Sequence, residues 1–139
     1  MCSSDLPEIF KESDVVSCHT PWLKETEKML RREYFESMKP GATFINTARG
    51  AVVDEAGMIE VLKKRPDLYA VLDVTYPEPP VPESPLYDLP NVILTPHIAG
   101  SMGNECRRMG NLVVDELQRY IAGEKLRYEI SQAMAEKMA

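Results

Sequence analysis

Residues 42–50 read Ala42-Thr43-Phe44-Ile45-Asn46-Thr47-Ala48-Arg49-Gly50, and this stretch decides the fold. Its first half is a short, nearly continuous apolar run. That is how a strand covered on both faces in a parallel sheet reads, whereas a half-solvated sandwich strand alternates. Its second half turns polar and presents a guanidinium just past the expected strand end. Immediately before it, Lys39-Pro40-Gly41 ends a helix and turns the chain into the strand.

Working outward, similar runs at 14–18, 68–73 and 91–95 predict three more strands. They alternate with longer stretches of helical period, the pattern of βαβ units. Helices are expected over 31–38 and over 54–64, where Asp54 is the N-cap and Glu55 lies in the favourable first turn. A long amphipathic helix is expected over 103–122, with Met109, Leu112, Val113, Leu117 and Ile121 on one side and a stop at Gly123. Pro77, Pro79, Pro80, Pro82 and Pro85 make the segment before the last strand an irregular loop. The expected fold class is α/β: a partial doubly wound, Rossmann-like parallel sheet of about four strands with flanking helices.

Composition bounds the function. With 139 residues, 44% hydrophobic and 27% charged, the chain has material for one ordinary core, so one domain or part of one is expected. The net charge of −6 is spread along the chain without a basic cluster, which excludes the footprint of a nucleic-acid or anionic-membrane binder and points to a small polar metabolite as partner. Cys2, Cys18 and Cys106 are odd in number and far apart, neither a disulfide framework nor a zinc site, so no metal is expected. No apolar run is long enough to span a bilayer and the amino terminus has no secretory pattern, so a cytoplasmic location is expected. Residues 1–6, Met1-Cys2-Ser3-Ser4-Asp5-Leu6, resemble the translated read-through of a sequencing adapter and are expected to be a non-native scar.

The candidate chemistry follows from position. Arg49, Glu78 and His97 each come a few residues after an expected strand. In a parallel sheet they gather at the carboxyl edge, where open α/β sheets bind ligands. An imidazole such as His97 takes a proton from a hydroxyl or returns it to a carbonyl. A carboxylate such as Glu78 orients the ring, and Arg49 offers a planar fork to a carboxylate and a carbonyl oxygen. Nothing among them supplies redox chemistry, so a cofactor is implied. Each residue also has an ordinary reading: Arg49 paired with Asp54 or Glu55, Glu78 a surface charge, His97 a satisfied buried histidine, Asp73 a cap. Cys18 and His19 are neighbours in a strand and face opposite ways, which discounts a nucleophilic pair. The eight methionines read as core filler.

Five motifs then converge. They are Val16-Ser17-Cys18-His19-Thr20-Pro21, Met38-Lys39-Pro40-Gly41, Ile45-Asn46-Thr47-Ala48-Arg49-Gly50, Leu72-Asp73-Val74 followed by Pro77-Glu78-Pro79, and Thr95-Pro96-His97-Ile98-Ala99-Gly100. In this order they closely resemble the D-isomer-specific 2-hydroxyacid dehydrogenases, from about Pro7 to about Ile130. Singly each is weak; in series they are specific. The resemblance implies that Arg49 binds substrate carboxylate and carbonyl, Glu78 supports the histidine, and His97 is the proton donor and acceptor. It implies that Asp73 contacts the nicotinamide carboxamide, Thr20, Pro21 and Thr26 line the adenosine ribose and nicotinamide, Thr47 and Ala48 offer backbone to the nicotinamide side, and Gly100 is a small residue near the cofactor. The implied cofactor is NAD, with NADP left open. The implied reaction passes a hydride between nicotinamide and a D-2-hydroxy or 2-keto acid, with His97 handling the hydroxyl proton.

The departures carry expectations too. No GxGxxG occurs, so residues 7–122 are expected to be the second half of a nucleotide domain and 123–139 a return toward a substrate domain. The strand at 14–18 would then have an uncovered edge, and the isolated chain is expected to be marginally stable, to self-associate, and neither to bind NAD usefully nor to turn over substrate. The full-length parent is expected to be a homodimer, partly through the 31–38 region. Two rival readings stay open: a corepressor-like binding protein on the same fold, and an inactive truncated product.

Overall fold

Four strands lie side by side and all run the same way in the computed structural model, which describes residues 5–138. β1 (Val15–Cys18), β2 (Thr43–Asn46), β3 (Tyr69–Leu72) and β4 (Val92–Leu94) follow one another across the sheet in chain order. Parallel pairing aligns Val16 with Phe44 and Ala70, and Cys18 with Asn46 and Leu72. Three helices precede or connect the strands: α1 (Leu6–Glu12), α2 (Arg32–Ser37) and α3 (Glu55–Lys64). The chain divides after His97, and residues Ile98–Met138 form a second unit.

Strand period is two, so alternate residues define the two faces. Val16, Cys18, Phe44, Asn46, Ala70 and Leu72 are buried, in one core with Phe10 of α1, Phe35 of α2 and Met58, Val61 and Leu62 of α3. Phe10, Phe35 and Phe44 meet with ring centroids 5.4, 6.0 and 5.0 Å apart. On the other face Val15, Tyr69 and Ile93 are about half exposed. Within this unit the sheet is therefore covered on one side, where the apolar runs suggested two. A continuous apolar run states that both faces avoid water without saying what covers each.

The expected strands and the helices of 31–38 and 54–64 are present, trimmed by a residue or two at their ends. Asp54 caps α3, its carboxylate accepting the N–H of Gly57 at 3.3 Å. Helix α1 was not foreseen, although Pro7 is in its first turn and Phe10 is 1% exposed. Residues 1–4 of the suspected scar lie outside the described residues, while Leu6 begins α1 and packs partly buried against the core. At the amino edge of the sheet, buried Asn91 braces the turn into β3, its Nδ2 donating to the carbonyls of Leu62 and Leu68 at 3.1 and 2.8 Å.

The second unit contains α4 (Asn104–Ile121) and α5 (Gln132–Ala135). Gly123, at φ 70°, stands just past the C-cap Ala122, where the sequence predicts the stop. The apolar side of α4 is exposed at Met109, Val113, Leu117 and Ile121.

Candidate functional site

Because the strands are parallel, the segments that follow them all leave from one rim. The turn after β2 is shaped by Asn46, buried at 1% exposure. Its Oδ1 accepts the N–H of Ala48 at 3.0 Å and its Nδ2 donates to the carbonyl of Arg49 at 3.1 Å. Arg49 is then extended (φ −146°, ψ 141°) and leads into a 3-10 turn, Gly50–Val52. Gly50 packs so tightly on the segment after β3 that an added Cβ would fall 2.1 Å from the carbonyl carbon of Thr75. Arg49 forms no ion pair among the described residues. Its Nη1 donates to the carbonyl of Ala48 at 2.7 Å, and neither Asp54 nor Glu55 is its partner.

After β3, Asp73 is buried at 4% exposure, and its backbone N–H donates to Asn46 across the ladder at 2.9 Å. Thr95, past β4, donates its hydroxyl to the Asp73 carboxylate. Thr75 Oγ1 donates to Pro77 O at 2.9 Å. The N–H of Tyr76 donates to Glu55 Oε2 at 3.0 Å, and the Tyr76 ring meets Trp22 edge-on with centroids 5.5 Å apart. Partial burial pushes the Glu55 carboxyl up from its ordinary value, against the opposing pull of the Tyr76 N–H. This Pro-rich segment carries Glu78 to His97.

His97 Nδ1 lies 2.6 Å from Glu78 Oε1. An ionised carboxylate only accepts, so beside it Nδ1 carries the proton and Nε2 keeps its lone pair. Among the described residues Nε2 has no hydrogen-bond partner. His97 adopts φ 53°, the left-handed region that a non-glycine residue enters at a cost of order 1 kcal/mol. Its N–H is tied to the carbonyl of Asp73 at 3.1 Å. A cleft of about 410 Å³ opens beside the pair, walled by Asp73, Thr75, Tyr87, Leu94 and Thr95.

A second, smaller cleft of about 180 Å³ lies between the turns after β1 and β2, lined by His19, Thr20, Pro21, Ala48 and Arg49. Thr26 closes the first of these turns, its hydroxyl donating to Pro21 O at 2.6 Å and accepting the N–H of Leu23 at 2.8 Å. Cys18 is buried in the core while His19 is exposed and bonded to Ser17 Oγ at 2.8 Å, so the two do not form a pair.

The structure thus joins Glu78 to His97 directly and sets Asp73 beside them. Arg49, Ala48, Thr20 and Pro21 share the neighbouring cleft on the same rim, and Thr47 lies half-buried in the turn between Asn46 and Ala48. Gly100 belongs to the second unit. Sequence reasoning gave no role to Asn46 or Thr95, and none to Glu55 beyond the first turn of its helix or a pairing with Arg49. For Asn46 a signal existed, an amide at a position of the strand facing the core. For Thr95 and Glu55, whose partners lie about twenty residues away, none did. Among the described residues no group of three or more His, Cys, Asp or Glu is arranged to hold a metal ion, and no helix is long and apolar enough to cross a membrane.

Comparison with known proteins gives the family of the chain. Residues 1–99 match the family described as D-isomer specific 2-hydroxyacid dehydrogenase, NAD binding domain. The chain is 36% identical over 127 residues to D-3-phosphoglycerate dehydrogenase of Archaeoglobus fulgidus, covering 91% of this chain and 24% of that protein. It is 40% identical over 121 residues to glyoxylate reductase of Thermofilum pendens, covering 87% and 36%. Among solved structures, D-lactate dehydrogenase with NAD+ from Lactobacillus jensenii superposes with a TM-score of 0.80 at 33% identity, covering 91% of this chain and 42% of that one. The chain therefore spans between about a quarter and two-fifths of the length of these relatives.

Proposed function

The chain belongs to the D-isomer specific 2-hydroxyacid dehydrogenases, and from that premise we propose that it carries the proton-transfer and carboxylate-binding part of a site interconverting a D-2-hydroxy acid and its 2-oxo acid. The observation that carries the reading is the 2.6 Å bond from His97 Nδ1 to Glu78 Oε1. It fixes the tautomer and ring orientation, leaving Nε2 to remove the proton of a substrate hydroxyl or to return it to a forming alkoxide. Arg49, without a carboxylate partner among the described residues, supplies two parallel donors to the substrate's carboxylate and adjacent oxygen.

The donor set fits a nicotinamide cofactor. Asp73 is a buried carboxylate lining the larger cleft, an acceptor placed for a carboxamide N–H. Thr20, Pro21 and Thr26 shape the turn that would flank its ribose, and Thr47 and Ala48 offer backbone beside it. The nicotinamide supplies the hydride acceptor or donor that no side chain here provides. NAD+ and NADPH each accompany a relative at 33% and 34% identity, so the reading takes NAD(H) first and leaves NADP(H) to the assay.

A graft tests it. Residues 7–130 replace the matching segment of the Thermofilum pendens glyoxylate reductase, and NADH and NADPH oxidation is followed with glyoxylate and larger 2-oxo acids. Turnover that disappears with His97→Asn is the expected result. A folded graft whose turnover ignores His97 overturns the proposal.

A further inference from the structure

Asn46 ends β2 on the face that otherwise presents Phe44 and, across the ladder, Leu72. A polar side chain there is costly unless both its ends are used. Both are, and both on the same turn: Oδ1 holds the N–H of Ala48 at 3.0 Å and Nδ2 holds the carbonyl of Arg49 at 3.1 Å. The backbone of Asn46 reaches the other way. Its carbonyl accepts Asp73 N–H at 2.9 Å, and the carbonyl of Asp73 accepts His97 N–H at 3.1 Å. One residue therefore joins the turn that bears Arg49 to the strand end from which His97 hangs. A side-chain amide carries its donor and its acceptor on separate atoms, and the short stem of Asn46 lets the two span that turn. Asn91, equally buried, spends its amide on carbonyls at the opposite edge of the sheet and serves as an internal control.

We propose that Asn46 is a positioning residue, which sets the stance of the Arg49 guanidinium relative to His97 and thereby the affinity for the carboxylate of a 2-oxo acid. This rests on the reading of Arg49 as the carboxylate-binding group. Loss of its side chain frees the Ala48 N–H and the Arg49 carbonyl together, so the turn relaxes while the strand ladder, made by backbone, persists.

The test uses the 139-residue chain with Asn46→Ala, Asn46→Ser and the control Asn91→Ala. Oxalate is the probe, since it presents a carboxylate beside a second oxygen as a 2-oxo acid does. Its binding is read from the Nε–Hε signal of Arg49 by NMR, and amide exchange is read in parallel. In Asn46→Ala, Ala48 exchange rises and oxalate affinity falls, each by about tenfold, the equivalent of one hydrogen bond. Protection of Ile45 and Val71 is unchanged. Asn46→Ser, whose hydroxyl can accept the N–H two residues on, recovers part of both losses.

Unchanged oxalate affinity in Asn46→Ala with intact strands overturns the inference. So does an equal loss in Asn91→Ala, which would mark a general effect of destabilisation. If Asn46→Ala does not fold, parental affinity in Asn46→Ser overturns it. Absence of any Arg49 response in the unsubstituted chain overturns the reading of Arg49 and this inference with it, and is recognised before a substitution is made.

Discussion

Gly50 and Thr75 meet backbone against backbone: a Cβ on Gly50 would stand 2.1 Å from the Thr75 carbonyl carbon and 2.2 Å from its oxygen. A peptide unit cannot rotate aside as a side-chain tip can, so Gly50→Ala must separate the segments after β2 and β3. The expected loss is about 1–3 kcal/mol, as for other overpacked sites. The urea midpoint measures it, and a midpoint equal to the parent's would mean that the two segments do not touch in solution.

In the grafted enzyme, His97→Asn should lower kcat by about 10²–10⁴, the usual span for a general acid or base. Glu78→Gln keeps a hydrogen-bonding oxygen and loses the charge, so a smaller fall of about tenfold is expected. Rates for the glutamine variant at parental level would leave Glu78 without a part in orienting the ring.

Phe10 lies against Phe35, Phe44 and Tyr34, with centroids within 6.0 Å. Phe10→Ala should therefore cost about 3–5 kcal/mol. A loss below about 1 kcal/mol, the level of an ordinary surface change, would place α1 outside the cooperative fold.

Asp67 is held down to about 2 by its hydrogen bond with Arg65, whose Nη2 lies 2.7 Å from Oδ2. A carboxyl depressed in the fold adds stability above its unfolded value of 3.8, and this is lost as pH falls toward about 2. Asp67→Asn should flatten that part of the acid limb in thermal melts between pH 4 and 2 (approximate bounds). Parallel limbs for parent and variant would deny the coupling.

Glu55 has the opposite sign. Burial raises its carboxyl, so ionisation in the fold costs stability as pH climbs from the unfolded value through the folded one. Glu55→Gln keeps an acceptor for Tyr76 N–H and does not titrate. Its advantage over the parent should grow across that interval and then level off, as read by melting temperature against pH. An advantage independent of pH would show that the carboxyl is not desolvated.

What the sequence disclosed follows the range of each interaction. The strands were legible because apolar runs record burial locally, and Asp54 was legible because a cap acts within one turn. Arg49, Glu78 and His97 could be placed on one rim once the strands were taken as parallel. The 2.6 Å closure of Glu78 on His97, the grip of Asn46 on its turn and the hold of Glu55 on Tyr76 depend on packing between segments. Coverage of one face by this unit was also invisible, since Ile93 and Tyr69 are apolar or aromatic whether or not a layer lies over them. Helix α1 was not legible because its seven residues, Leu6–Glu12, are too few to display a helical period.

The alignment of Asn46 with Leu72, and of Leu72 with Leu94, has one more consequence. Slipping β3 by a single residue would carry Asp73 about 3.3 Å along its track and turn Leu72 to the opposite side. The ladder thus serves as a ruler: the hydrophobic layer that forbids the slip also sets how far the Asp73 carbonyl, which holds the His97 N–H, stands from the turn that bears Arg49.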